Sequence, residues 1–144
     1  MAEEQRSASC EVPLDTGSLS LVELEGILNA LPVDISFVDE KDTVRYFNPT
    51  KGRIFARTKA VIGRKVQNCH PAKSVHVVER ILDDFRAGRR EEAEFWIDLD
   101  GRLVYIRYLP VRDRAGKYLG CLEVTQDITE VRTIEGEKRL LDLS

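Results

Sequence analysis

Apolar and polar positions along the chain change period several times, and each change marks an element. Residues 1–17 are polar, carry Pro13 and Gly17 and show no period, so a disordered leader is expected there. Ser20 and Glu23 then have the S-x-x-E spacing of a capping box. Leu21, Leu24, Ile27, Leu28 and Leu31 follow at helical spacing until Pro32, predicting a short amphipathic helix with one face to bury. From Asp34 the period becomes two. Asp34–Val38 and Thr43–Phe47, joined by Asp39, Glu40, Lys41 and Asp42, read as a hairpin closed by Asn48 and Pro49.

The stretch to Gln67 has scattered apolar residues around Gly52 and Gly63, which predicts short helical turns and the wall of a cavity. Pro71 suits the first turn of a helix running to Ala87 and closed by Gly88, with Val75, Val78, Ile81, Leu82 and Phe85 on its inner side. Three strands follow, Glu91–Leu99, Leu103–Val111 and Lys117–Gln126. The Asp100-Gly101 pair between the first two favours a type I′ turn. This order predicts an α+β fold: a five-stranded antiparallel sheet with its helical cluster between strands two and three, plus flanking N- and C-terminal helices.

The last strand runs into Asp127, Ile128, Thr129 and Glu130. An Asp or Thr at a strand end accepts backbone N–H bonds and caps a following helix, so Asp127 and Thr129 are expected to form a signal junction. Beyond it, Val131, Ile134, Lys138 and Leu141 are spaced three, four and three apart. They predict an amphipathic helix over 131–144, either one seam of a two-helix coil or a helix lying back on its own sheet.

At 144 residues and 42% hydrophobic content the chain holds one domain, over 18–130 with its N-terminal flanking helix. A net charge of −3 gives no reason to expect nucleic-acid binding. Locally, though, no Asp or Glu occurs between Thr43 and Val78, while Arg45, Lys51, Arg53, Arg57, Lys59, Arg64, Lys65 and Lys73 are basic. This segment is a solvated basic face or a lid that attracts an anionic ligand or acidic partner. Three widely spaced cysteines imply no disulfide framework, and no apolar run approaches the about 20 residues of a membrane span. A cytoplasmic protein with no membrane partner is expected. Glycine-loop, H-E-x-x-H and kinase signatures are lacking, so no enzyme is expected and no catalytic residue is assigned.

Asp39, the run Tyr46, Phe47 and Asn48, the run Ile62, Gly63 and Arg64, then Gly120 and the Asp127–Glu130 ending, in this order over about residues 31–130, resemble the PAS family of sensor domains. Asn68–Pro71 (NCHP), Phe95–Ile97 (FWI) and the tail GEKRLLD are similar to one bacterial and archaeal branch, in which the PAS part follows a hemerythrin-like domain not expected in this chain. The resemblance implies a cavity between sheet and long helix, a homodimer formed through flanking helices, and signalling by ligand binding or redox change. No output module is expected within these residues, so signalling would run to an unidentified partner protein in trans or through a longer protein.

Phe37, Tyr46, Val75, Val78, Leu82, Ile97 and Leu122 are candidate walls for a small-molecule ligand, with Arg53 or Arg57 as charge partner; the same apolar residues could instead fill a dry core. Which sheet face is inner stays open. If the face of Cys121, Glu123 and Thr125 were inner, Glu123 would be a buried carboxylate needing a partner, itself a sign of a ligand site. Cys69 and His70 ahead of the long helix are candidates for redox sensing, or a small apolar side chain and a capping histidine; too few ligands surround them for a closed metal site. Haem is disfavoured, because His76 lies on the polar side of its helix. Flavin photochemistry is not supported, because His70, Pro71, Ala72 and Lys73 follow Cys69 where the flavin members carry Arg, Phe, Leu and Gln. The alternatives to a ligand sensor are a constitutive protein interaction scaffold and a haem or thiol redox sensor.

Overall fold

A computed structural model describes residues 10–143. Two short strands, β1 (Glu11–Leu14) and β2 (Gly17–Ser20), form an antiparallel hairpin with Leu14 opposite Gly17. The disordered leader is thus corrected for residues 11–17; residues 1–9 lie outside the described part. Helix α1 (Leu21–Ala30) starts at the expected capping box: the Glu23 N–H donates to Ser20 Oγ (3.0 Å), and the Ser20 N–H to Glu23 Oε1 (2.8 Å). None of its residues is buried, and Leu21, Val22 and Ile27 stay exposed. Of the amphipathic face expected to be buried, Leu24, Leu28 and Leu31 are half-buried, and the rest has no cover among the described residues.

Strands β3 (Asp34–Asp39), β4 (Val44–Phe47), β5 (Ala93–Leu99), β6 (Arg102–Arg112) and β7 (Tyr118–Asp127) form one antiparallel sheet in the order β4-β3-β7-β6-β5. The β3–β4 turn is held by the Asp39 carboxylate, which accepts from the Lys41 and Thr43 N–H groups. The β5–β6 turn has φ of +53° at Asp100 and +84° at Gly101, the pair of positive values a type I′ turn requires.

Helix α2 (Val75–Ala87) begins four residues after Pro71, because residues 71–74 form only a turn, and it ends at Gly88 in the left-handed region (φ 74°) as expected. Its residues Val78, Ile81, Leu82 and Phe85 pack on Val38, Val104 and Cys121 of the sheet to make the core. The connection from β4 to α2 contains two 3-10 turns, Lys59–Val61 and Val66–Cys69, and is fastened to the β4 edge by the Val44 N–H to Arg64 carbonyl bond and its return from the Gly63 N–H.

The expected C-terminal helix is not formed. Val131–Thr133 and Leu140–Leu143 are single 3-10 turns, and Ile134 and Leu141 are exposed. A helix of this length gains little from its own hydrogen bonds without a packed face.

Candidate functional site

Strand pairing decides the inner face. Ser36 of β3 and Tyr108 of β6 both stand opposite Glu123 of β7, and Ile106 stands opposite Thr125, all on the face covered by α2. Phe37 and Leu122 are paired with each other on the opposite face, as are Phe37 and Tyr46. The face carrying Glu123 is therefore the inner one, the less apolar of the two choices in the last strand.

Between this face, α2 and the β4–α2 connection lies a cavity of about 810 Å³. Its body is apolar, formed by Val78 and Ile81 of α2 with Phe95, Ile97 and Ile106 of the sheet. Val77, Phe95 and Ile97 are partly exposed and mark its opening, where Arg90 and Glu94 also stand. The inner end is polar, with Arg57, His70 and Glu123.

The electrostatics of that end are unusual. Burial raises the Glu123 carboxyl above its ordinary range, even though Arg57 and Arg53 pull the other way. The guanidinium of Arg57, its side chain 21% exposed, has Nη2 3.7 Å from Glu123 Oε2, too long for a hydrogen bond. Arg57 Nε is buried and has no hydrogen-bond partner among the described residues, and the same is true of His70 Nε2. Burial, and then the Arg57 charge, lowers the His70 pKa, which favours a neutral imidazole at pH 7. Burial, helped by Glu123, raises the Tyr108 phenol, so it stays protonated.

Arg53, four residues before Arg57, is occupied differently. Its Nη1 donates to the Asn48 carbonyl (2.9 Å) and to Asn48 Oδ1 (3.2 Å), its Nη2 to Ser36 Oγ (2.9 Å), and its Nε to the Phe55 carbonyl (3.1 Å). It clamps the connection onto β3 and contributes to the cavity through its charge. Asp34 does the same from the strand side, accepting from Thr50 Oγ1 and from the Ile54 N–H (2.8 Å).

Of the expected ligand walls, Val78 and Ile97 line the cavity. Leu82 is packed in the core, Phe37, Tyr46 and Leu122 are on the other sheet face, and Val75 and Arg53 are not among the lining residues. Tyr108 and Ile106 are not among the expected walls, and only the period-two alternation of β6, once anchored to one face, points to them; Phe95 of the FWI segment and Thr125 beside Glu123 also line the cavity. Cys69 lines the cavity beside His70, and its Sγ lies 3.8 Å from the Lys65 carbonyl. His76 is exposed, as its place in the helical period requires. Among the described residues no group of three His, Cys, Asp or Glu side chains is placed to hold a metal ion.

At the end of β7, Asp127 Oδ1 accepts from the Thr129 N–H (3.0 Å) and hydroxyl (2.6 Å), which hold its carboxyl below the usual range. Thr129 Oγ1 in turn accepts from the Leu103 N–H (2.9 Å). These two residues lock the strand exit onto the start of β6 and cap no helix, which corrects that part of the expected junction.

A family model described as the PAS domain matches residues 24–129. The chain belongs to the PAS domain family. Among solved structures, this PAS domain is similar to a C-terminal domain from Streptococcus mutans, with 34% identity and a TM-score of 0.82 over 89% of this chain and 99% of that one. It is also similar to the PAS domain of Bordetella pertussis BvgS, at 25% identity and TM-score 0.58 over 76% and 87% of the two chains. A Colwellia psychrerythraea PAS domain, at 16% identity and TM-score 0.57 over 76% and 98%, shares the fold. No curated protein matches the chain. The expected α+β sheet-and-helix architecture is thus the PAS fold, in a family whose members are typically sensory modules. Among the described residues no helix is long and apolar enough to cross a membrane.

Proposed function

We propose that this PAS domain senses a small molecule held in the cavity between sheet and α2, and reports its occupancy through the flanking segments of a homodimer to a partner protein. The observation that carries the reading is the inner end of the cavity, where Nε of the largely buried Arg57 has no hydrogen-bond partner among the described residues. A buried donor without an acceptor costs free energy, which an arriving acceptor would recover. Asn48 supports a route to the flanking helix: it accepts from Arg53 and donates to the Leu28 carbonyl of α1 (3.1 Å), so the connection that carries Arg57 is bonded to that helix. The uncovered Leu21, Val22 and Ile27 of α1 are the surface on which a second copy would pack.

The kinship to PAS parts that follow a hemerythrin-like domain belongs to this proposal too; it rests on the NCHP and FWI segments, of which His70, Phe95 and Ile97 line the cavity. A second reading, thiol sensing, is favoured by Cys69 on the cavity wall. Native mass spectrometry of freshly purified protein, with melting temperatures measured against panels of metabolites, tests the main one. A dimer with retained mass, or a ligand that raises the melting temperature, supports it. A strict monomer at every concentration removes the dimer, and silence across the panels turns the reading into a constitutive scaffold. A Cys69→Ser effect on oxidant response would instead support thiol sensing.

A further inference from the structure

The chemistry of the cavity narrows what it can hold, given the ligand-binding reading on which this inference rests. The Arg57 side chain is largely buried, its Nε has no hydrogen-bond partner among the described residues, and its Nη2 meets Glu123 only as a long ion pair. Its one charged neighbour, Glu123, is held at 3.7 Å, outside hydrogen-bonding distance. His70 Nε2 is a second buried nitrogen at the same end with no partner among the described residues. A planar guanidinium fork with a nearby ring nitrogen matches an acceptor with two oxygens.

Charge selects among such acceptors. Arg53 lies near Asp34 as well as Glu123, whereas the Arg57 guanidinium faces only Glu123, a carboxyl that burial drives toward its neutral form. One negative charge from a ligand meets the Arg57 guanidinium. A dianionic phosphate would crowd a second charge against Glu123, and an ammonium would add a third cation while leaving the Arg57 donors unmet. Between that end and the opening, where Arg90 and Glu94 stand, Val78, Ile81 and Ile106 form an apolar stretch that offers the body of a ligand no charge.

We propose that the cavity takes a small organic monocarboxylate, its carboxylate forked on Arg57 with His70 Nε2–H donating to it, and its apolar body against Val78 and Ile106.

The test is calorimetric titration and thermal shift of the full chain with hexanoate and 3-phenylpropionate, compared with hexanamide and hexylamine, which keep a similar body and change the head. The acids are expected to bind at least about tenfold tighter than the amide, as a charge-assisted pair outweighs a neutral one. Arg57→Gln should remove that preference, and Arg57→Lys, which keeps the charge without the fork, should fall between. An amide or amine that binds as tightly as the acids, or unchanged acid affinity in Arg57→Gln, overturns the carboxylate and leaves the ligand-binding reading intact. If Arg57→Gln does not fold, the head-group comparison on the unaltered protein still decides. No binding by any head group overturns the carboxylate. If Val78→Phe, which fills the cavity, then raises the melting temperature, the ligand-binding reading falls with it.

Discussion

Replacing Asn48 with alanine should loosen α1 from the sheet and cost much of the stability of the domain. Asn48 is fully buried, and its amide serves three backbone groups from different segments. Oδ1 accepts from the Ile35 N–H of β3 at 2.7 Å, and Nδ2 donates to the Leu28 carbonyl of α1 at 3.1 Å and to the Val33 carbonyl at 3.0 Å. Truncation leaves the buried Ile35 N–H without its acceptor, which costs about 1–3 kcal/mol. The two half-buried carbonyls are within reach of water, so each loses about 0.5–1 kcal/mol. The vacated amide leaves a void worth about 1 kcal/mol. Together these amount to about 4 kcal/mol, a large part of the 5–15 kcal/mol typical of a domain.

Urea unfolding measures this directly. With a slope of about 1.5 kcal/mol/M, the midpoint should fall by about 2–3 M without a change in slope. Amide hydrogen exchange should show the loss locally, with the C-terminal turn of α1 deprotected before β6 and β7. A loss below about 1 kcal/mol would show that water replaces the amide without penalty. The bonded route from the connection to α1 would then not be a rigid one.

Three other substitutions or labels probe the site and its frame. Glu123→Gln should be more stable than the native chain at neutral pH. Burial raises the folded-state pKa above the ordinary 4.5, so the folded state keeps a proton that the unfolded state has already lost. The stabilising effect of that proton is complete below 4.5 and is lost as pH rises through the folded value, so the advantage of the variant should open across that window and then level off. A gap that closes with rising pH, in urea titrations at a series of pH values, refutes the raised carboxyl. Gly120→Ala should cost more than about 3 kcal/mol, since its Cβ would lie 2.1 Å from the Val38 carbonyl oxygen and 2.8 Å from the Phe37 ring; a melting temperature within a few degrees of native would disprove that contact. Alkylation followed by mass spectrometry should label exposed Cys10 first and Cys121 only on unfolding, because burial both shields the Cys121 thiol and raises its pKa. Equal labelling rates would contradict the core packing around Cys121.

The elements that could be read from the sequence are those whose period is enforced by burial. The buried side of α2, with Val78, Ile81, Leu82 and Phe85, falls where the 3.6-residue spacing puts it, and the Asp100-Gly101 turn forms as its residue types demand. The elements misread are those with little to pack against. Val131, Ile134, Lys138 and Leu141 have the spacing of a seam, but Ile134 and Leu141 stay exposed and the backbone settles into isolated 3-10 turns. The β1–β2 hairpin was hidden for the same reason. Its residues are mostly exposed, so no burial imprinted an alternation on Glu11–Ser20.

The site was harder to read than the fold, because three of its decisive features depend on geometry that composition does not carry. Arg53 and Arg57 are the same residue type, four apart in one segment, yet the first spends its donors on Asn48, Ser36 and Phe55 while the second donates no hydrogen bond to a described residue. The sheet is buried at places on both faces, with Ile35 and Val124 on one and Val104 and Cys121 on the other, so alternation alone could not say which face looks into the cavity. The more apolar choice in β7 is the outer one. A wall that closes a dry core is selected for apolar surface, whereas a wall that meets a polar head must carry a group able to answer it. Glu123 would be a costly residue in the first kind of wall. In the second it stands near two guanidiniums, and this buried carboxyl is the position of the strand that bears most directly on the proposed ligand.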